Sequence, residues 1–140
     1  MPFGVAAKKA SGNWLPIVTP TAGSFKTDMM WVDPNGGGVL LTAHIDMPSS
    51  IAAMDLDTLD ALIHQGLVAK AGANGVAPSK RVKICGGKQD AVYASLTLPT
   101  AKEDMVFALS DRAYIAQYAR RSDVAESPAA VAALLALCAP

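Results

Sequence analysis

Cysteine is scarce in this chain: Cys85 and Cys138 are the only two among 140 residues. They do not form a C-x-x-C, and two thiols cannot complete a zinc site without help, so no metal is expected. No serine stands in a G-x-S-x-G context, and no glycine-rich loop runs into a helix start. The nucleophile-elbow and phosphate-loop signatures are therefore missing, and no cofactor is expected. Runs of like charge are missing too. Lys plus Arg and Asp plus Glu each number 12, a formal net charge of zero, which offers nucleic acid no basic surface. The pairs Lys8-Lys9 and Arg120-Arg121 read as solvated surface. A membrane span needs about 18 apolar residues. The longest candidate, "AAVAALLALCA", is too short and too rich in alanine. The opening "MPFGVAAKKASGNW" has neither a charged n-region nor an apolar h-region, so it does not read as an intact signal peptide. It reads as a mature N-terminus with a replacement Met, or as the start of a cytosolic protein.

What is present is apolar and evenly spread. With 51% apolar and 17% charged residues, a chain of this length is globular, with one core of its own. Residues 1–12 read as a flexible lead-in, and residues 13–140 as a single domain. "WLPIVTPTAGSF" holds Pro16, Pro20 and Gly23, so it is extended and broken by turns. "FKTDMMWV" and "GVLLTAHIDM" are β-rich runs joined by "DPNGGG". The turn chemistry of Asp33-Pro34-Asn35-Gly36 predicts a β-hairpin.

"MDLDTLDALIHQGLVAKAG" is the clearest helix. Leu56, Leu59, Leu62, Ile63 and Leu67 recur at three- and four-residue steps as an apolar stripe. Asp55 or Asp57 suits its start, and Lys70 with Gly72 suits its end. Beyond it, "RVKI" leads through Gly86-Gly87 into "DAVYASLTL", and "DMVFAL" leads through "SDR" into "AYIAQYAR". These runs are assigned to three strands. Val92, Ala94, Leu96 and Leu98 alternate with Tyr93, Ser95 and Thr97 on opposite faces. Ser127 as N-cap and Pro128 at the first helical position open a last helix of about three turns, with Val131, Leu134, Leu135 and Cys138 on one side. The resulting order, β-β-α-β-β-β-α, is α+β: an antiparallel sheet with a central amphipathic helix and a C-terminal helix packed on it.

If the last helix returns across the sheet towards the Gly86 turn, Cys85 and Cys138 can meet and close a loop of roughly fifty residues, which the chain-entropy model values at about 4 kcal/mol. Two buried free cysteines acting as small apolar residues fit the same residues. The residues alone leave both open.

Three segments carry a resemblance. "NWLPIVTPTAGSF", with Trp14, Pro20, Gly23 and Phe25, resembles the opening of small exported bacterial proteins. "ICGGKQDAVY" resembles the GG-x-x-A segment that follows the central helix in those proteins, and "RAYIAQYARR" resembles their ending. Together they resemble the PsbP-like family, related in fold to the photosystem II extrinsic protein, over about residues 13 to 138. The resemblance implies a periplasmic or secreted protein, mostly non-enzymatic relatives, and an oxidising compartment that favours a Cys85–Cys138 disulfide. A cytoplasmic protein is the alternative.

Two sets of residues are candidates for function. Trp31, His44, Asp46, Tyr93, Tyr114 and Tyr118 can form a binding surface on the sheet, or the aromatics among them can be core. His44 and Asp46 alternate along one strand, and Asp60 and His64 stand four apart on the helix. Such His–carboxylate pairs are the ingredients of acid–base chemistry. The expected function is a non-enzymatic accessory or binding protein whose partner is an unknown protein or small ligand, with no catalytic residue assigned. The alternatives are a small enzyme using His44, Asp46, Asp60 and His64, and a self-associating assembly subunit.

Overall fold

The computed structural model of the chain describes residues 15–16, 25–33, 38–45, 55–110 and 113–139. The lead-in at residues 1–12, the tip of the "DPNGGG" turn and Asp46 lie outside the described residues. The protein is α+β. Strands β1 (Leu15–Pro16), β2 (Phe25–Val32) and β3 (Val39–Ile45) precede helix α1 (Leu56–Ala71). A short 3-10 turn (Ala73–Gly75) follows, then β4 (Lys80–Ile84), β5 (Gln89–Thr97), β6 (Ala101–Leu109), β7 (Ala113–Arg121) and helix α2 (Pro128–Leu135). Each of the four β-rich runs after α1 is a strand of its own, one more than expected, because each pairs antiparallel with the next. Two-residue β1 is a further addition.

All seven strands form one antiparallel sheet in the order β1-β2-β3-β7-β6-β5-β4. The hairpin β2–β3 and the meander β4–β7 are thus two local units, joined where β3 pairs with β7. The expected hairpin is present: β2 pairs with β3 from Phe25↔Ile45 to Val32↔Val39, and the Asp33 N–H donates to the Gly38 carbonyl at 3.0 Å across the turn.

The two helices lie on opposite faces of the sheet, and the alternation of side chains along each strand decides what each one covers. On one face, α1 packs Leu59 against Val92, Ala94, Leu96, Met105, Phe107 and Ile115. Its ends are built as the sequence predicts. The Asp55 carboxylate accepts the Thr58 N–H at 2.8 Å, and Gly72 closes the helix at φ 78°. The stripe is narrower than the spacing suggests. Leu62 is 49% exposed, because the three-residue step from Leu59 turns it away from the side that Leu56, Ile63 and Leu67 share at about 100° per residue.

On the other face, α2 lays Ala130, Ala133 and Leu134, followed by Leu137, on Ile84, Ala91, Val106, Tyr114 and Tyr118. Ser127 caps the helix by accepting the Ala130 N–H at 3.2 Å. The helix is eight residues long, shorter than the expected three turns, and Cys138 lies past its end. Leaving the helix lets the tail turn towards β4. Cys138 is disulfide-bonded to Cys85, their Cα atoms 4.7 Å apart, and the Gln89 side chain holds the next residue from both sides. Gln89 Nε2 donates to the Ala139 carbonyl and Gln89 Oε1 accepts the Ala139 N–H, both at 2.8 Å. Cys85 takes φ 57° at the head of a turn that Gly86 and Gly87 continue at φ 66° and 85°, which places its sulfur at the end of the sheet. No helix among the described residues is long and apolar enough to cross a membrane.

Candidate binding site at the base of the hairpin

Of the residues expected to form a binding surface, Trp31, His44, Tyr93, Tyr114 and Tyr118 share one face, and Asp46 lies outside the described residues. Cross-strand register sets Trp31 opposite Leu40, Leu40 opposite Tyr118, and His44 opposite Tyr114, and Tyr93 lies on the same side of β5. That face belongs to α2, and most of these side chains are core. Trp31, Tyr114 and Tyr118 are buried in one cluster with the helix, while Tyr93 and His44 are partly exposed at its margin. Burial of large rings outweighs their use as a platform.

The structure does not assemble the four acid–base candidates. His44 faces the α2 side, its ring centroid 6.3 Å from that of Tyr114. Asp60 and His64 ride on α1, over the opposite face, where Asp60 accepts the Ser79 hydroxyl at 2.5 Å and His64 lies on the exposed outer side. Asp46 falls outside the described residues. Among the described residues no group of three or more His, Cys, Asp or Glu side chains could hold a metal ion.

Sequence reasoning missed an open cleft of about 400 Å³ where the hairpin meets β6 and β7. Val32, Val39 and Ala119 stand in one cross-strand row, and Ala101 sits opposite Arg121 in the neighbouring pair. All five belong to the α1 side of the sheet, since Ala119 and Arg121 follow Ile115 by even steps. Helix α1 crosses β5, and the small side chains of this row leave the hollow. Gly38 lines its edge, where the backbones of β3 and β7 approach closely: a Cβ there would stand 2.6 Å from the Ala119 carbonyl oxygen and 2.8 Å from the Tyr118 ring. Asp33, Arg120 and Arg121 stand at the rim of the cleft. Arg121 makes a two-pronged pair with Asp123 at 2.9 and 3.0 Å, and Glu103, in the Val39–Ala119 row, is met by Lys70 from α1 at 3.3 Å. An apolar floor suits an apolar group. No sequence signal marks it, because single Val and Ala residues from four strands carry no motif.

A second polar cluster lies across the sheet, at the start of α2. Asp104 is 8% exposed on β6, opposite Tyr118 on one side and Ser95 on the other, and accepts the Ser95 hydroxyl at 2.7 Å. Burial, followed by the nearby Asp104 charge, pushes the Tyr93 hydroxyl well above the ordinary tyrosine range. The Lys80 ammonium sits over the Tyr93 ring, 5.1 Å from its centroid. Arg120, read from the sequence as solvated surface, is half-buried. Its guanidinium lies 5.9 Å from the Tyr118 ring centroid, and its Nε is buried without a hydrogen-bond partner. Alternation along β7 puts Arg120 on this face while its neighbour Arg121 faces the cleft.

No known family model matches the chain, and none of the curated proteins matches it.

Proposed function

We propose that this chain is a non-enzymatic accessory protein of PsbP-like type, acting outside the cytoplasm, that binds a small apolar ligand or an apolar side chain of a partner in the cleft at the hairpin base. The observation that carries the reading is the cleft itself, about 400 Å³ with Val32, Val39, Ala101 and Ala119 as its floor. Pockets of this size and composition are where small ligands bind, because apolar walls supply the free energy and few polar groups compete. Support for an exported setting comes from the Cys85–Cys138 disulfide, since such bonds persist in oxidising compartments. The separation of His44 from Asp60 and His64 by the thickness of the sheet weighs against the enzymatic alternative.

The test is a fluorescence titration with 1-anilinonaphthalene-8-sulfonate, run on the wild-type chain and on Ala101→Trp, which fills the cleft. Wild type is expected to give saturable one-to-one binding, weakened at least about tenfold in the variant, a loss of roughly 1.4 kcal/mol. Matched thermal unfolding curves separate cleft filling from loss of fold. Equal binding by two equally stable proteins would dismiss this cleft as the site.

A further inference from the structure

The sheet ends at β4, which pairs with β5 on one side. An edge strand turns every second N–H and C=O away from its single neighbour, a template for one more strand. Among the described residues, Lys80, Arg81, Val82 and Lys83 make no main-chain hydrogen bond outside the β4–β5 ladder. The chain after β4 is tied to α2 only past this stretch, where the Cys85 N–H donates to the Leu135 carbonyl at 3.3 Å. The opposite edge offers less length, since β1 is two residues long and one of them is Pro16.

Charge at the β4 edge has one sign. Between Asp60 and Asp90 the sequence holds no acidic residue and five cations, Lys70, Lys80, Arg81, Lys83 and Lys88. Register divides those of β4 between the two faces. Arg81 stands opposite Val92 and Lys83 opposite Asp90, on the α1 side, while Lys80, Val82 and Ile84 face the α2 side. Carboxylates already reach both α1-side cations: Asp57 meets Arg81, and Asp90 Oδ1 lies 2.5 Å from Lys83 Nζ. Both pairs are exposed to solvent, so each is worth little and exchanges readily for another carboxylate.

We propose that the outer edge of β4 takes up an extended acidic segment of a partner protein as an added strand. The main chain of that segment pairs with the outward groups of β4. Its side chains alternate, with carboxylates beside Arg81 and Lys83 and an apolar residue beside Val82, which packs half-buried against the α2 core. The recognised pattern is therefore acidic, apolar, acidic. A second copy of this chain fits the edge poorly, because two β4 strands side by side set cation against cation. The edge lies at the other end of the sheet from the hairpin, and its use does not depend on the cleft.

The experiment uses the full-length oxidised chain, labelled with nitrogen-15, and a capped peptide of about seven residues alternating Glu with Val. A Lys–Val peptide of equal length tests charge. A Glu–Val peptide with proline at its centre tests strand addition, since proline cannot complete a ladder. The Glu–Val peptide is expected to bind saturably, with the largest amide shifts and new exchange protection in residues 80–84. Either control peptide is expected to bind at least about tenfold more weakly, as is the Glu–Val peptide to the R81Q/K83Q variant. Both side chains are exposed, and melting curves confirm that the variant is folded. If it is not, the three peptides on the wild-type chain decide alone. The proposal is overturned by absence of saturation up to about 1 mM Glu–Val peptide, by equal affinity for either control, or by shifts centred away from β4. Protection of β4 that grows with protein concentration in the absence of peptide would assign the edge to a second copy and overturn the acidic partner.

Discussion

Replacing both Cys85 and Cys138 by alanine is expected to lower stability by about 4 kcal/mol and the melting temperature by roughly 10 °C. The bridge joins residues 53 apart in sequence, and a covalent loop of that length removes much of the conformational freedom the unfolded chain would otherwise have. The folded state changes less. Gln89 holds Ala139 by two hydrogen bonds, the Cys85 N–H donates to the Leu135 carbonyl at 3.3 Å, and Leu137 remains buried on the sheet. The tail should therefore stay docked in the folded variant, with the loss appearing in thermal and urea unfolding. The accompanying check is intact mass, expected to rise by ~2 Da when the wild-type chain is reduced, the mass of two thiol hydrogens. A variant that melts within ~2 °C of wild type would contradict the chain-entropy account of this bridge.

Gly38→Ala is expected to destabilise the fold by about 3 kcal/mol, through strain and overpacking together. Gly38 has φ 139°, a conformation that L-residues avoid, and the added methyl would press on the Ala119 carbonyl and the Tyr118 ring. Neither neighbour can yield cheaply. The Ala119 carbonyl belongs to the β7 backbone, and Tyr118 is fully buried and holds the Ser127 N–H. The contrast is Gly66→Ala, in the middle of α1, where the new Cβ meets nothing within 4 Å and φ is ordinary. That change is expected to stabilise by about 0.8 kcal/mol, since alanine loses less backbone freedom in a helix than glycine. Urea midpoints of the two variants should therefore move in opposite directions. A Gly38→Ala midpoint equal to that of wild type would mean that the β3–β7 junction can relax around the methyl group.

The sequence by itself determined both helices and the β-rich runs of this protein, because their signals are local, though it counted one strand too few after α1 and did not mark β1. Asp55 and Gly72 bound α1, Ser127-Pro128 starts α2, and the alternation of Val92, Ala94 and Leu96 with Tyr93 and Ser95 marks β5 and its two sides. The α+β class follows from those pieces. It also supplied both cysteines and the turn beside the first, though not their union.

Only the tertiary structure decided what the pieces do to one another, because register and face depend on partners far away in sequence. The insertion of β7 between β3 and β6 buried Trp31, Tyr114 and Tyr118 as core and turned Arg120 inward beside Arg121, two residues that look alike in the sequence. The same sheet stands between His44 and the α1 pair, and gathers Val32, Val39, Ala101 and Ala119 into a cleft. A one-residue difference in register would send each of these side chains to the opposite face, and nothing local to any of them fixes that choice.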